Sequence, residues 1–411
     1  MKMNKRLFRL LTVAVLFVAT GFPAKAQDAR IAIVNANVFD GVNERILENR
    51  VVFVSNGQIE RIQSADTDIG QGYEIVDAEG FFLMPGLFDV HTHINSLDQA
   101  RRALESGVTT IRTASVPAYQ DVAMRELVRS GQLAGPDVLA AGVFVTPDLG
   151  QTVLADPRLA PLHAGVMSDE ALRQVVRINA DRGVDVIKTR GTQRAGLPDT
   201  DPRQQVYTER QLRVIVEEAA KFDIPVMVHA HGDEGARAAV LAGARSIEHG
   251  TYLSDETLRL MKERGTWLVP TFVTMNELNE EQYDYVLRLR GKHMLPHLER
   301  AIRSAHQMGV RIATGADNYY DEKSINRISI EVEHLVRLGM PAFEALQSAT
   351  VSSAELLGVG TSTGRIAEGY EADLILVPGN PLEDVAVLQD VLMVISNGTV
   401  ALKRIPFAVT E

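Results

Sequence analysis

The sequence predicts an α/β protein: a (β/α)8 TIM barrel with a small β-sandwich domain built from both chain ends. Two observations carry this prediction. Between residues 85 and 362, short apolar segments alternate with amphipathic ones, whereas both flanking regions hold only short segments of β character. Strands of a parallel barrel are buried on both faces and therefore read as apolar runs that alternate with helices.

The composition limits the kinds of protein to which this chain can belong. The chain has 411 residues, of which 45% are hydrophobic, so it can bury a large core. It contains no cysteine, which excludes a thiolate nucleophile, a Cys-ligated zinc site and a lipid-modified cysteine. The formal net charge of −11 argues against nucleic acid or an anionic membrane surface as a partner.

Residues 1–26 have the pattern of a secretory signal peptide. Basic residues precede an apolar run over 10–21, and Ala24-Lys25-Ala26 places small residues at the spacing of a cleavage site. A membrane anchor is the alternative, but an apolar run of about a dozen residues is short for a span. We therefore expect cleavage after Ala26 and a periplasmic or secreted mature chain without a membrane span. The loss of five basic residues would lower the formal charge from −11 to −16.

The N-terminal part of the β-sandwich domain is predicted for residues 27–84. Apolar residues dominate 31–34 and 51–54, and a third short segment covers 58–62. Ser55-Asn56-Gly57 separates the last two segments and has the composition of a tight hairpin turn.

The barrel domain is predicted for residues 85–362, where strand, loop and helix repeat. Thr208 and Gln211 have the capping-box spacing at the start of one helix. An open doubly wound sheet is the weaker alternative to a closed barrel. The predicted strands are 87–94, 108–114, 137–145, 184–190, 224–231, 244–250, 266–272 and 310–317. The predicted helices include 118–134, 169–182, 209–222, 235–242, 255–264 and 298–308.

The C-terminal part of the β-sandwich domain is predicted for residues 363–411. Short β segments lie at 363–366, 372–377 and 394–400, and the Ser-Asn-Gly turn recurs at 396–398. We expect the two ends of the chain to pair with each other, so that the barrel interrupts the smaller domain.

Polar side chains stand at the ends of several predicted barrel strands, where barrel enzymes carry their active sites. His91 and His93 lie two residues apart on an extended segment and therefore point to the same side, which suits two nitrogen ligands of one metal ion. Each such residue alone could be structural, but the set indicates a metal site. In chain order the set is His91, His93, Lys188, His229, His231, His249 and Asp317.

Lys188 is the most informative member of this set. It follows an apolar strand, where a buried ammonium loses its hydration unless it is paired or modified. A depressed pKa makes the amine nucleophilic enough to take up carbon dioxide, and the resulting carbamate can bridge two cations. The alternative is a lysine whose ammonium reaches solvent at the strand end.

Five short motifs together resemble the amidohydrolase superfamily, within it the imidazolonepropionase-like group that includes metal-dependent dipeptidases, prolidases and ochratoxin-type amidases. The resemblance covers nearly the whole mature chain, and residues 364–374 are typical of the returning β domain of this group. The motifs are Pro-Gly-Leu-Phe-Asp-Val-His91-Thr-His93, Ile187-Lys188, Val228-His229-Ala230-His231-Gly232, Ile247-Glu248-His249-Gly250 and Thr314-Gly315-Ala316-Asp317.

The resemblance implies a site with two divalent metal ions, most often Zn2+. His91, His93 and Asp317 would hold the more buried ion. His229 and His249 would hold the outer ion, and N6-carboxylysine at Lys188 would bridge the two. His229 and His231 are alternatives for the outer ion, but the first histidine of this motif is the constant one in related sequences. His231 is therefore assigned to the support of the ligands or to the substrate, where it could also stabilise the oxyanion of the reaction. Asp317 would take the proton of a metal-bridging water as the resulting hydroxide attacks, and then pass it to the leaving nitrogen.

The implied reaction is hydrolysis of the amide bond of a small molecule: a dipeptide or an N-acyl amino acid, including ochratoxin-like amides, with a free carboxylate. Arg190 and Tyr207, in the loop after the fourth strand, and Tyr252, after His249, could contact the substrate, although each could equally be an ordinary loop residue. The alternatives are hydrolysis of a cyclic amide, lactone or imidazolone ring, and a catalytically inactive binding protein on the same fold. Deamination is disfavoured by Lys188. Relatives are commonly homo-oligomers.

Overall fold

The computed structural model describes residues 30–324 and 327–405. The predicted signal peptide, residues 1–26, and its cleavage site lie outside the described residues. Within the described ranges, the structure contains no helix that is both long and apolar enough to cross a membrane.

The chain begins with five strands of a mixed sheet: β1 (Ile31–Phe39), β2 (Ile46–Ser55), β3 (Gln58–Ser64), β4 (Glu74–Asp77) and β5 (Phe82–Pro85). β1 pairs antiparallel with β2 and parallel with β4 and β5. The turn between β2 and β3 has left-handed backbone at Asn56 (φ 54°) and Gly57 (φ 78°), which matches the twist of a two-residue hairpin.

Two parallel sheets follow. The first has the order β6 (Leu87–Thr92), β7 (Val108–Thr113) and β8 (Asp137–Leu139). The second runs through β9 (Ile187–Arg190), β10 (Val226–Ala230), β11 (Ser246–His249) and β12 (Trp267–Val269), each strand paired with the next. Nearly every residue of these seven strands is buried, as expected for strands that are covered on both faces.

Segments outside the named strands make main-chain hydrogen bonds to the edge strands of these two sheets. On one side, Val145 N donates to Lys188 O at 2.9 Å. On the other side, the segment 310–318 lies between β12 and β6. Leu268 N donates to Arg311 O at 2.9 Å, and Asp317 N donates to His91 O at 2.7 Å.

Each of the eight strands predicted over 85–362 is shorter in the structure or is not formed as a regular strand, and the largest differences are over 137–145 and 310–317. The strand predicted over 137–145 ends at Leu139, because the amides of Ala141 and Gly142 donate to the Asp121 carboxylate instead of to a neighbouring strand. The segment predicted as a strand over 310–317 has only bridge-type pairing. It is interrupted where Asp317 takes a left-handed backbone, with φ 49°.

Helices follow the strands of the two parallel sheets along the chain. Thr208 and Gln211 form the predicted capping box at the start of α4. The longest helix begins at Tyr285, although the sequence predicts only its residues 298–308, because a proline inside a helix breaks the expected pattern. The helices are α1 (Leu97–Glu105), α2 (Gln120–Arg129), α3 (Asp169–Asp181), α4 (Glu209–Ala220), α5 (Asp233–Ala242), α6 (Asp255–Arg264), α7 (Phe272–Glu277), α8 (Tyr285–Met308), α9 (Ile328–Arg337), α10 (Ala342–Ser348) and α11 (Val351–Leu357).

The chain then returns to the first sheet with β13 (Leu374–Val377), β14 (Met393–Ser396) and β15 (Thr399–Lys403). β13 pairs antiparallel with β5, which gives the order β15-β14-β13-β5-β1-β2-β3, with β4 on β1. Strands from both ends of the chain therefore belong to one eight-stranded sheet.

Candidate metal centre

The structure brings together all the residues predicted at the strand ends. His91 lies in β6, and His93 directly follows that strand. Lys188 lies in β9, and His229 lies in β10, which His231 directly follows. His249 ends β11, and Asp317 lies in the segment that bonds to β6. Ligand atoms lie within 4.8 Å of one another in two groups, His229 with His231 and His249, and His91 with His249 and Asp317. Parallel strands end at the same edge of a sheet, which explains this convergence.

Asp317 and Lys188 occupy the middle of the cluster. The Oδ1 atom of Asp317 lies 3.0 Å from His93 Nε2 and 3.4 Å from His91 Nε2. Lys188 Nζ lies 3.3 Å from His91 Nε2. Lys188 is buried, and in the described part of the chain no carboxylate forms an ion pair with it. Burial lowers the pKa of the Lys188 ammonium to about 8.

Three histidines each use one ring nitrogen for an acceptor outside the cluster. His91 Nδ1 donates to Glu248 Oε2 at 2.6 Å, and His93 Nδ1 donates to Ser115 O at 3.1 Å. His229 Nε2 donates to Gln193 O at 3.1 Å. Because a carboxylate or carbonyl can only accept, the opposite nitrogen of a neutral His91 or His229 ring carries the lone pair. For these two rings the bonds select the tautomer that a metal ion requires, whereas both nitrogens of His93 face acceptor oxygens.

Threonine hydroxyls hold the remaining two rings. His231 Nδ1 lies 2.9 Å from Thr251 Oγ1, and His249 Nδ1 lies 2.7 Å from Thr271 Oγ1. The rings of His231 and His249 stack with centroids 4.6 Å apart. Each ring therefore keeps its Nε2 atom for a ligand or a substrate.

The electrostatics of the cluster favour the neutral form of four imidazoles, those of His91, His229, His231 and His249. Burial, followed by the nearby Lys188, lowers the pKa of His91 to about 4. Burial lowers the pKa of His231 to about 3, and it lowers the pKa values of His229 and His249 well below the ordinary range. A metal ion needs unprotonated imidazole, so this donor set fits a divalent cation without proton loss from the rings.

Glu248 and Arg112 form a buried ion pair beneath the cluster that the sequence analysis missed. Arg112 donates to Glu248 Oε1 at 3.0 Å and to Val90 O at 2.7 Å. Burial raises the pKa of the Glu248 carboxyl, but Arg112 and His91 outweigh it and hold the pKa at about 2. The signal was present, since Glu248 is a carboxylate inside an apolar strand directly before His249.

Asp89 is a second buried carboxylate that the sequence analysis did not identify. It accepts from His91 N at 3.1 Å, from Ala316 N at 3.0 Å and from the Tyr320 hydroxyl at 2.8 Å. Burial raises its pKa to about 7. Asp89 thereby ties β6 to the segment that carries Asp317.

The backbone is strained at several of these strand ends. Left-handed φ values occur at His249 (76°), Thr271 (48°) and Asp317 (49°), and Ser115 has φ 100°. Such values are uncommon for residues other than glycine and cluster at functional sites. They turn the side chains of His249 and Asp317 away from the regular strand direction.

The predicted substrate residues have different surroundings. Arg190 is partly buried with its guanidinium 4.6 Å from the Phe144 ring centroid, and in the described ranges its Nε has no hydrogen-bond partner. Tyr252 is half-buried, and its amide donates to His231 O at 2.8 Å. Tyr207 differs from the expectation. It is fully buried in the core and its hydroxyl donates to Val166 O at 2.8 Å, so it does not offer a free hydroxyl to a substrate.

Sequence comparisons find relatives along most of this chain. The sequence model of the amidohydrolase family matches residues 82–401. Ochratoxinase from Aspergillus niger is 29% identical over 419 residues, which covers 89% of this chain and 85% of that protein. Imidazolonepropionase from Kosmotoga olearia is 25% identical over 395 residues, which covers 85% of this chain and 89% of that protein.

A solved structure extends the match to three dimensions. The crystal structure of a Xaa-Pro dipeptidase with bound methionine in the active site has a TM-score of 0.82 at 27% identity, and the match covers 90% of this chain and 99% of that chain. The resemblance seen in the sequence is thus confirmed. The chain belongs to the amidohydrolase family and is a metal-dependent hydrolase of amide C–N bonds.

Proposed function

We propose that this protein is a binuclear metallohydrolase that cleaves the amide bond of dipeptides or N-acyl amino acids, ochratoxin-like amides included. The observation that carries the proposal is the direction of the hydrogen bonds that the histidines of the cluster make. Outward hydrogen bonds of His91 and His229 leave their lone pairs directed away from Glu248 and Gln193. The buried Lys188, which has no carboxylate ion-pair partner in the described ranges, lies next to His91.

The proposal includes a closed barrel and a sandwich. The hydrogen bonds from Val145 to Lys188 and from Asp317 to His91 support closure, because they attach neighbouring segments to edge strands of the two parallel sheets. The second layer of the β domain is supported by the two Ser-Asn-Gly turns. A Cβ atom on Gly398 would lie 2.6 Å from Gly57 Cα, although β14 and β2 are several strands apart in the sheet order.

His91, His93 and Asp317 would hold one Zn2+ ion, and His229 and His249 would hold the other. Lys188 would bridge them as N6-carboxylysine. In that modification the ammonium first loses one proton, the neutral amine then attacks carbon dioxide, a C–N bond forms and a second proton is released, so that a buried cation becomes an anion. A buried amine without a carboxylate partner favours this change, because a bare ammonium at this position is poorly solvated.

Two bound cations would lower the pKa of a water molecule and polarise the substrate carbonyl. Asp317 would accept the proton of the attacking water and deliver it to the leaving nitrogen. Its Oδ1 atom already lies within 3.4 Å of two imidazoles, and its side chain is 16% exposed, so it can reach a substrate in the mouth of the site. His231 would donate from Nε2 to the oxyanion of the tetrahedral intermediate, with its ring held by Thr251.

Arg190 would bind the carboxylate of the substrate. Burial and the neighbouring Arg194 lower its pKa to about 10. The guanidinium lies 4.6 Å from the Phe144 ring centroid, and its Nε, which has no hydrogen-bond partner in the described ranges, would be free to contact a carboxylate. Tyr252 would line the same mouth.

Replacing Arg190 with methionine should raise KM for substrates with a free carboxylate by about 10- to 100-fold, the value of one charge-assisted hydrogen bond. The same substrates with a terminal carboxamide should be affected less than about threefold, because they lack the anionic partner. Steady-state kinetics on both series measure this difference. Arg259→Met, an exposed arginine of α6, is the matched control. Equal losses on both series would contradict the carboxylate role.

Metal analysis of the purified protein, combined with a screen of dipeptides and N-acyl amino acids, tests the proposed function. About two divalent ions per chain and ninhydrin-detectable release are expected. One ion or none after zinc reconstitution in bicarbonate would contradict the bridged centre. Because imidazolonepropionase is among the relatives, cyclic amides, lactones and imidazolones belong in the same screen as the second candidate class.

A further inference from the structure

The short helix α7 contacts two residues of the metal centre. Thr271, directly before the helix, holds His249 through the 2.7 Å contact between Oγ1 and Nδ1. Thr274, in the first turn, donates its hydroxyl to the main-chain carbonyl of Ala316 and, at 3.3 Å, to that of Asp317. The position of this helix therefore fixes both an imidazole ring and the backbone that carries the proposed proton acceptor.

The first turn of α7 is capped from a distant part of the chain. Thr271 makes no side-chain capping bond, so the first amides of the helix need another acceptor. Glu331 of α9 supplies it. Its Oε1 accepts from Phe272 N at 2.9 Å, and its Oε2 accepts from Val273 N at 2.8 Å.

Glu331 has no other use in the described chain. It is fully buried, and no lysine, arginine or histidine in the described ranges forms an ion pair with it. A carboxylate buried without a cation is unfavourable unless its oxygens are satisfied, and here both are used by the same turn.

We propose that Glu331 is a positioning residue of the metal centre, which acts through α7 to hold His249 and Asp317 in place. The inference rests on the proposed function only in taking metal binding as its readout. A helix of one and a half turns is not stable by itself, and Thr271 is held in a left-handed conformation. Without Glu331, Thr271 is free to relax and His249 loses the contact that orients its ring.

Glu331→Gln and Thr271→Val are the variants that test this positioning role. Glu331→Gln replaces one acceptor oxygen by an NH2 group, so one of the two α7 amides then faces a donor instead of an acceptor. Thr271→Val removes the hydroxyl at constant shape. Both should weaken the more loosely held zinc ion about 10- to 100-fold, the usual effect of losing a group that orients a ligand. Thr271→Ser, which keeps the hydroxyl, should restore wild-type affinity.

A buried carboxylate far from the site provides the stability control. Glu218 of α4 is buried against Arg177 and Lys221. Glu218→Gln should lower Tm without changing zinc affinity. Zinc affinities are measured by competition with a chromophoric chelator, and cobalt substitution adds a visible spectrum that reports the ligand geometry.

The outcomes separate the positioning role from the proposed function. Wild-type zinc affinity in both Glu331→Gln and Thr271→Val, or no recovery in Thr271→Ser, would overturn the inference. An equal loss of affinity in Glu218→Gln would also overturn it, because the effect would then follow from stability alone. A wild-type protein that binds zinc but cleaves no amide would refute the proposed function. The zinc affinities of the variants would then still test the role of Glu331.

Discussion

Replacing Lys188 with alanine should abolish amide hydrolysis, with kcat/KM reduced by at least about 1,000-fold, or about 4 kcal/mol of transition-state stabilisation. Bound metal should fall from about two ions per chain to one or none, because the proposed carbamate is the only ligand shared by both ions. Inductively coupled plasma mass spectrometry and steady-state kinetics on the same preparation measure the two effects together.

Two further variants make the Lys188 result specific. Lys188→Met keeps most of the buried volume, so it should remain folded while losing the same activity; alanine alone would leave a cavity. Lys262→Ala, an exposed lysine of α6, should change neither quantity. Small carboxylates added to Lys188→Ala should restore part of the activity by taking the place of the carbamate. Turnover within about tenfold of the wild type in both Lys188 variants would show that the carbamate assignment is wrong.

The sequence was sufficient to predict which residues the structure brings together at the candidate centre. Polar residues such as Lys188 and His249 interrupt apolar strands that are otherwise buried, and parallel strands bring their ends together. The polar interruptions and the parallel arrangement together predict that these side chains lie near one another, although neither gives a distance. His231 could not be separated from His229 in this way, and the structure shows why, since both rings are buried with centroids 4.8 Å apart.

Residues that support the centre were beyond the reach of local patterns. Glu331 and Thr271 are connected only through the amides of α7, and their sequence separation is long. Tyr207 was wrongly expected to face the substrate, because an aromatic residue in a loop after a strand looks the same whether it turns inward or outward. The hydrogen bond from the Tyr207 hydroxyl to Val166 O shows that the side chain turns inward, and this bond depends on the packing of a different loop.

The second large effect is expected from Glu248→Gln, because this carboxylate serves three partners at once. Oε2 accepts from His91 Nδ1, and Oε1 accepts from Arg112 and from the Ser246 hydroxyl. An amide has one acceptor oxygen, so it can serve His91 or Arg112 but not both. Whichever partner keeps the oxygen, the other faces an amide donor. Breaking a buried ion pair on one side destabilises proteins by about 3–5 kcal/mol, so unfolding should occur at markedly lower denaturant concentration.

Stability and metal binding can be separated with a second substitution. Adding Arg112→Met to Glu248→Gln removes the buried cation that was left without its partner and should recover much of the free energy of unfolding. It should not fully recover zinc affinity, which is expected to stay about 10-fold or more below the wild type because a neutral amide polarises the His91 ring less than a carboxylate does. If zinc affinity returned together with stability in the double variant, Glu248 would act on the fold alone. A persistent loss would instead show that the negative charge of Glu248 strengthens His91 as a ligand. Arg112 and His91 maintain this charge, because they hold the pKa of the Glu248 carboxyl low.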